Sequence, residues 1–489
     1  MCGIAGMFGT PKSDIEVKKM LAALGHRGPD ACGIRTEGDL SIGNNLLKIT
    51  GDMPQPLTGT GSLVLNGEIY NFRELAAEIG IKTDSDTELL FTLIENRVKN
   101  GITPANAVFS ALLKVNGDYA LAYACGKELI LARDPSGVKP LFYCYGEKTE
   151  EPGLAFASEK KAFSCIGREA KPFPQGGVMG FNSEKGGIVE KVVERSLKIN
   201  PPEERISAEN EAVFYLKAAL EKAVELRLTH TSGIAFSGGI DSTFLAALAK
   251  RIDPDIALYA VGLPDSHDIA QAEYAAEAIG MKRNLKVHFL SPEEIEDAVP
   301  RVIYATESTD PMKVSIGLPL YIVAKTARED GKRVLLTGQG ADELFGGYSR
   351  HEGFFEQGPD VLDKEIYSDL QNISTINLER DDMVTMANSV ELRVPFLDKE
   401  VIKTGLAISP ELKVLKKEGS YTRKYILRKA AEGLLSPELL WKEKKAMQYG
   451  TGVQKILDRL SRDSGFSKKQ GNHIEKYLKN VALENGFGL

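Results

Sequence analysis

Over about its first 200 residues the chain sets short apolar runs between glycine-bounded breaks. Ser62-Leu63-Val64-Leu65, Tyr119-Ala120-Leu121-Ala122-Tyr123 and Glu128-Leu129-Ile130-Leu131-Ala132 read as strands. The stretch from Thr87 to Val98 repeats its apolar positions at helical spacing instead. Many strands with a few helices among them predict an α+β sandwich.

The pattern breaks at Ile199-Asn200-Pro201-Pro202-Glu203-Glu204, where proline and charge interrupt all periodicity. From Glu211 onward Val213, Leu216, Leu220 and Val224 mark a long amphipathic helix. Strand-like runs then alternate with helices. Gly233 to Phe236 precedes a helix from Ser242 to Arg251, and Ile256 to Val261 precedes one from Asp268 to Ile279. Leu285 to Leu290 and Arg333 to Leu336 continue the series. Such alternation predicts a doubly wound α/β parallel sheet, with ligands at the carboxyl ends of its strands. From about Asp363 the pattern is mostly helical to the end. Two domains are expected, 1–200 and 208–489.

Composition narrows the function class. A length of 489 residues with 43% hydrophobic and 26% charged positions suits a soluble globular protein of several domains. The net charge of -7 argues against a general nucleic-acid surface. The five cysteines, Cys2, Cys32, Cys125, Cys144 and Cys165, form no C-x-x-C pair, so neither a zinc site nor a disulfide framework is expected. No signal-like or membrane-spanning run occurs, and a cytoplasmic protein is expected.

Three strings carry chemistry. Ser237-Gly238-Gly239-Ile240-Asp241-Ser242 joins a predicted strand to a predicted helix. Its glycines admit an anion close to the backbone, and the helix start presents free N–H groups. Asp241 would repel a phosphate unless a cation lay between them, which implies Mg2+. A second loop, Thr337-Gly338-Gln339-Gly340-Ala341-Asp342-Glu343, follows another strand, so Asp241 and Asp342 are candidates to share that metal. Cys2 is the third. Removal of Met1 would leave a thiol and a free α-amine on one residue, a nucleophile with its own base.

Taken in order along the chain, further strings resemble the glutamine-dependent asparagine synthetase family. They are Met1-Cys2-Gly3-Ile4, His26-Arg27-Gly28-Pro29-Asp30, Asn66-Gly67-Glu68-Ile69-Tyr70-Asn71 and Arg133-Asp134-Pro135-Ser136-Gly137-Val138-Lys139-Pro140-Leu141. Ser158-Glu159-Lys160-Lys161-Ala162, the two loops, and Arg393-Val394-Pro395-Phe396-Leu397-Asp398 follow. The resemblance implies an N-terminal-nucleophile class II glutaminase followed by an ATP-pyrophosphatase domain. It implies L-glutamine, L-aspartate and ATP as substrates, magnesium, and no nucleic-acid or membrane partner; a homodimer is one open assembly.

By this resemblance Cys2 attacks glutamine, and the Asn66 side chain and Gly67 N–H form the oxyanion hole. Glu68 and Asp86 hold the glutamine, Asp86 facing its α-ammonium. Asp241 and Asp342 look like the magnesium ligands. Phe236, Ser237, Gly238, Gly239 and Ser242 belong to the pyrophosphate cradle, and Val261, Gly262, Thr337 and Gly338 to the nucleotide contacts. Glu307 falls where the family has a carboxylate that deprotonates ammonia, and Lys424 and Lys444 match lysines that neutralise the transferring phosphoryl group.

Three positions depart from the family pattern. Leu46-Leu47-Lys48-Ile49 replaces a string whose first residue is an arginine for the glutamine α-carboxylate. If this run is a strand, residues 46 and 48 share a face, and Lys48 stands in as a point charge. Gln339 replaces a glutamate, and Lys444-Lys445-Ala446-Met447-Gln448-Tyr449-Gly450 differs from the family's loop. A β-lactam-synthetase-like enzyme, another adenylating amide former, an RNA-modifying enzyme with the same phosphate loop, a silent scaffold, and an ammonia-preferring synthetase are the alternatives.

Overall fold

The computed structural model describes residues 2–145, 153–183, 189–417, 419–441 and 452–487. Contacts divide the chain into two compact units, Met1–Ile199 and Asn200–Leu489.

The first unit holds two six-stranded sheets. One contains β1 (Cys2–Phe8), β2 (Ala31–Glu37), β3 (Leu40–Leu46), β8 (Phe142–Tyr145), β9 (Leu154–Ala157) and β10 (Lys171–Pro172), in the order β10-β8-β9-β1-β3-β2. The other contains β4 (Leu57–Thr58), β5 (Ser62–Ile69), β6 (Gly117–Cys125), β7 (Glu128–Arg133), β11 (Gly177–Ser183) and β12 (Val189–Ser196), in the order β12-β11-β7-β6-β5-β4. Every strand pair in both sheets is antiparallel.

Alternation along these strands decides what faces what. Ile4, Phe8 and Ile42 of the first sheet pack on Val64, Ala120, Ala122, Leu129 and Leu131 of the second. The opposite face of the second sheet, with Leu63, Leu65, Tyr119, Leu121 and Tyr123, packs on the helices Asp86–Lys99 and Pro104–Lys114. Cys2 shares its strand face with Ile4 and Phe8, and Asn66 shares its face with Val64. Period-two geometry therefore points both residues into the space between the sheets.

The second unit is built on a five-stranded sheet, every pair parallel. Its strands are β13 (Ser232–Ala235), β14 (Ala257–Gly262), β15 (Leu285–Phe289), β16 (Val334–Leu336) and β17 (Glu391–Arg393), in the order β15-β14-β13-β16-β17. The order reverses at β13, which makes the loop after β13 the switch point where such sheets open a crevice. The chain after Asp363 is mostly helical, as the pattern predicts, with three short strands that the pattern did not single out. It contains β17 and the hairpin Val414–Lys417 with Ser420–Arg423. β17 is as short as β16 but lies in a stretch without strand–helix alternation, and it forms against the edge that Leu335 and Leu336 of β16 offer it. Among the described residues no helix is long and apolar enough to cross a membrane.

Candidate active sites

In the first unit, Cys2 lies in β1 directly opposite Leu46 of β3. Its backbone N–H donates to Asn66 Oδ1 at 3.1 Å, across the gap between the two sheets. Cys2 is 4% exposed and Asn66 not at all. With its oxygen committed, the Asn66 amide leaves Nδ2 buried with no partner. An orphaned buried donor costs stability unless a ligand oxygen meets it. Gly67 is required beside it: a Cβ there would stand 2.3 Å from the Asp118 carbonyl oxygen.

A buried ion cluster holds the other side of Cys2. Arg27 Nε donates to the Cys2 carbonyl at 3.2 Å, and its Nη1 donates to Glu159 Oε1 at 2.6 Å. His26 Nε2 lies 3.1 Å from the same oxygen, and Lys161 Nζ 2.8 Å from Oε2. Burial alone would raise the Glu159 carboxyl, but His26, Lys161 and Arg27 hold it well below the usual range. The strings around residues 26 and 159 are thus two halves of one anchor. Sequence reasoning noted both and gave neither Arg27 nor Glu159 a role. The signal was there: a lysine pair beside a glutamate in one string and His-Arg in the other.

Asp86 opens the helix Asp86–Lys99, which Ser85 caps by accepting from the Glu88 N–H at 3.2 Å. Asp86 Oδ2 accepts from the Ile69 N–H at 2.9 Å, and Oδ1 from the Thr87 N–H at 2.7 Å. Burial, and then the charge of Glu68, push the Asp86 carboxyl up to about 8. A ligand ammonium brought between these two acids would offset their mutual charge.

Lys48 does not share a strand face with Leu46. The strand ends at Leu46, because the Lys48 N–H donates to Asp30 Oδ2 at 2.8 Å instead of to a ladder partner. The side chain is exposed and its ammonium pairs with Asp52. The reading that strand alternation aims Lys48 at the glutamine site is corrected accordingly. The run from Arg133 to Leu141 is a structural turn. Asp134 there accepts from the N–H groups of Ser136, Val138 and Lys139.

In the second unit, Phe236, Val261 and Thr337 stand at the carboxyl ends of β13, β14 and β16. Gly238 has φ +69, and a Cβ on it would lie 2.5 Å from the Gln271 carbonyl oxygen. Gly239 precedes the helix Ile240–Lys250, and Ser237 Oγ lies 3.2 Å from Ser242 Oγ. A Cβ on Gly262 would meet Ser266 Oγ at 2.6 Å, and one on Gly338 would meet Asp241 Cβ at 2.9 Å. Thr337 Oγ1 is buried without a partner.

Lys424 brings the two candidate metal carboxylates together. Its Nζ donates to Asp241 Oδ1 and Oδ2, each at 2.8 Å, and lies 2.7 Å from Asp342 Oδ1. Hard oxygen donors converging on one cation position fit a magnesium ion shared with phosphate oxygens. Lys424 is 2% exposed and sits at φ +55. Gly347 lies under this pair: a Cβ there would stand 2.0 Å from Asp342 Oδ1 and 2.2 Å from Lys424 Cε. Glu307 ends the helix Pro292–Thr306 at φ +51, half-buried, a backbone state that costs a non-glycine residue free energy. Lys444 lies outside the described residues.

A layer behind the acidic loop escaped sequence reasoning. Glu343 accepts from Tyr348 Oη at 2.5 Å and Asn377 Nδ2 at 2.8 Å. Gln339 Nε2 donates to Asp381 Oδ2 at 2.5 Å. Asn377 falls in a π-helical turn, Ser374–Leu378, a widening often found near functional sites. A separate cavity of about 440 Å³, lined by residues including His288, Glu294, Arg301, Tyr321 and Lys325, contains none of the motif residues.

Residues 1–175 match the glutamine amidotransferase domain family, and residues 215–357 and 354–486 match the asparagine synthase family. The chain is 35% identical to a putative glutamine-hydrolysing asparagine synthetase 1 of Methanocaldococcus jannaschii, over 98% of this chain and 99% of that one. It is 29% identical to asparagine synthetase B of Escherichia coli, over 93% of this chain and 83% of that one. Among solved structures, a glutamine phosphoribosylpyrophosphate amidotransferase from B. subtilis aligns with a TM-score of 0.35 and 17% identity. That alignment covers 75% of this chain and 92% of the other.

Proposed function

The chain belongs to the asparagine synthase family and carries its glutamine amidotransferase domain, and from that premise we propose that it converts L-aspartate to L-asparagine in the cytoplasm, using ATP and ammonia that Cys2 releases from L-glutamine. The observation that carries the glutaminase half is the Asn66 amide, its oxygen held by the Cys2 nitrogen and its Nδ2 buried and unmet.

With Met1 removed, the α-amine of Cys2 accepts the thiol proton and the sulfur attacks the glutamine carboxamide carbon. The carbonyl oxygen takes the new charge, and Asn66 Nδ2–H and the Gly67 N–H donate to it. Collapse expels ammonia and leaves a thioester, which water hydrolyses to glutamate. Asp86 and Glu68 take the glutamine α-ammonium. Leu46, paired with Cys2 across the strands, has no cation to offer the α-carboxylate, which supports a weakened hold on glutamine.

In the second unit the phosphate loop, Val261, Gly262, Thr337 and Gly338 hold ATP. A β-carboxylate oxygen of aspartate attacks the α-phosphorus, pyrophosphate leaves, and ammonia, giving up a proton to Glu307, then displaces AMP from β-aspartyl-AMP. Lys424 neutralises charge on the phosphoryl oxygens. Magnesium, held by Asp241 and Asp342, would supply further charge neutralisation there.

The test is incubation with ATP, magnesium, aspartate and either glutamine or ammonium. AMP and asparagine are expected with both nitrogen donors, and Cys2→Ala removes the glutamine-dependent product only. ATP consumption that ignores aspartate overturns the proposal.

A further inference from the structure

The cavity of about 440 Å³ in the second unit holds none of the residues assigned above to either reaction. Three elements close it. The edge strand β15 supplies His288 and Phe289. The helix Pro292–Thr306 supplies Glu294, Asp297 and Arg301, which recur on one face at helical spacing. The helix Pro311–Glu329 supplies Tyr321 and Lys325, one turn apart. Ala298 and Ile322, both buried, add an apolar lining. Apolar walls with a few convergent polar groups are the usual make-up of a small-molecule site.

The charges on these walls do not cancel one another. His288 Nε2 lies 2.9 and 2.8 Å from the two Glu294 oxygens, so those two groups are committed to each other. Asp297 stands one turn before Arg301, the order in which a helix ordinarily pairs an acid with a base, yet the two do not pair. Among the described residues neither Asp297, Arg301 nor Lys325 has a side-chain partner, and the Tyr321 hydroxyl has none either. Two cations and one carboxylate are thus left facing a single cavity. Their complement is a molecule with two anionic groups and one ammonium. A phosphate would gain the two cations but meet Asp297 and Glu294 as like charges.

We propose that this cavity binds a small α-amino dicarboxylate, its carboxylates on Arg301 and Lys325 and its ammonium on Asp297. Two molecules share that chemistry, L-aspartate and L-glutamate. The walls also reach the nucleotide contacts. His288 pairs with Val261 and Phe289 with Gly262 along the β14–β15 ladder, and the Leu290 N–H donates to the Gly262 carbonyl at 3.0 Å. The helix that carries Asp297 and Arg301 ends at Glu307. A ligand bridging strand and helix braces both, so the site is regulatory. That coupling, unlike the site itself, rests on the proposed synthetase reading.

Isothermal titration of the full chain with L-aspartate, L-glutamate, succinate and inorganic phosphate tests the site. One amino diacid is expected to give a binding step that Arg301→Gln with Lys325→Gln weakens at least tenfold. Both side chains are exposed and unpaired, so this double variant is expected to keep the wild-type melting temperature. Succinate and phosphate are expected to bind wild type at least tenfold more weakly than that diacid. Asp297→Asn is expected to remove the preference, bringing succinate within threefold of it. A tighter step for aspartate assigns the substrate of the second unit, and one for glutamate assigns the product of glutamine hydrolysis.

An identical titration in the double variant overturns the site. Succinate or phosphate that binds wild type as tightly as both amino diacids overturns the ligand class. With ammonium as nitrogen donor and both diacids saturating, the KM of ATP is expected to differ at least threefold between wild type and the double variant. Equal values overturn the coupling and leave the site. Wild-type protein that forms no AMP overturns the synthetase reading, and the titration still decides the site.

Discussion

The Cys2 N–H donates to Asn66 Oδ1 at 3.1 Å, and this one bond leaves Nδ2 as the buried, unpartnered end of the amide. Asn66→Ala removes both the anchor and the oxyanion donor. Glutamine hydrolysis is expected to fall by about 10²–10³ in kcat, or roughly 2.7–4 kcal/mol of barrier. Ammonium-dependent asparagine formation, measured in parallel, is expected to stay within twofold.

Asp86 predicts a trade between stability and function. An unfolded aspartate ionises near 3.8, whereas the native one holds its proton to about 8. Its contribution to stability is therefore complete below the unfolded value and is lost as pH rises through that window, at up to about 1.4 kcal/mol per pH unit. In Asp86→Asn that titration is gone. Its melting temperature is expected to gain on wild type as pH rises from 5 to 8, while glutamine no longer stabilises it. A gap that stays constant with pH contradicts the assignment.

Glu159 has the opposite sign. Its carboxyl is held well below the ordinary range, so it stabilises the fold above the unfolded carboxylate value and loses that effect as pH falls through the folded one. Glu159→Gln strands Arg27 in a buried site, at a cost of about 3–5 kcal/mol. Thermal unfolding should show that loss at pH 7 and a smaller one at acid pH. Glutaminase activity is expected to drop with it, since Arg27 also holds the Cys2 carbonyl.

Lys424→Met leaves Asp241 and Asp342 facing each other without their ammonium. A lower melting temperature in chelator is expected, with at least partial recovery in millimolar magnesium, and AMP formation reduced at least 10²-fold. Equal melting temperatures with and without magnesium would argue against a shared metal position.

Gly347→Ala places a methyl where Asp342 Oδ1 and Lys424 Cε already lie. Asparagine formation with ammonium is expected to fall more than tenfold and glutaminase activity to persist, as paired assays on one preparation would show.

Much of this protein is legible from local pattern. The alternating runs locate β5, β6 and β7, and the Gly-Gly-x-Asp-Ser string locates the turn between β13 and the helix Ile240–Lys250, because period and turn chemistry depend on neighbours a few residues apart. The hairpin and β17 were illegible for the converse reason. The equally short β13 and β16 were marked by the strand–helix alternation around them, whereas β17 and the hairpin sit among helices and take their identity from a partner edge.

Lys48 marks the boundary between the two kinds of knowledge. Its sequence allows a strand, but the Asp30 carboxylate captures its N–H and turns the chain. The sequence alone singled out Cys2 as the candidate nucleophile, the two glycine-rich loops and the strand–helix alternation of the second unit. Tertiary structure decided the orientation of the Asn66 and Gln339 amides, the raised Asp86 carboxyl and the carboxylate pair on Lys424. These joins span 64, 42 and 183 residues of sequence for Asn66, Gln339 and Lys424. An amide's orientation and a carboxyl's proton affinity depend on burial and on partners that only folding brings within hydrogen-bond reach.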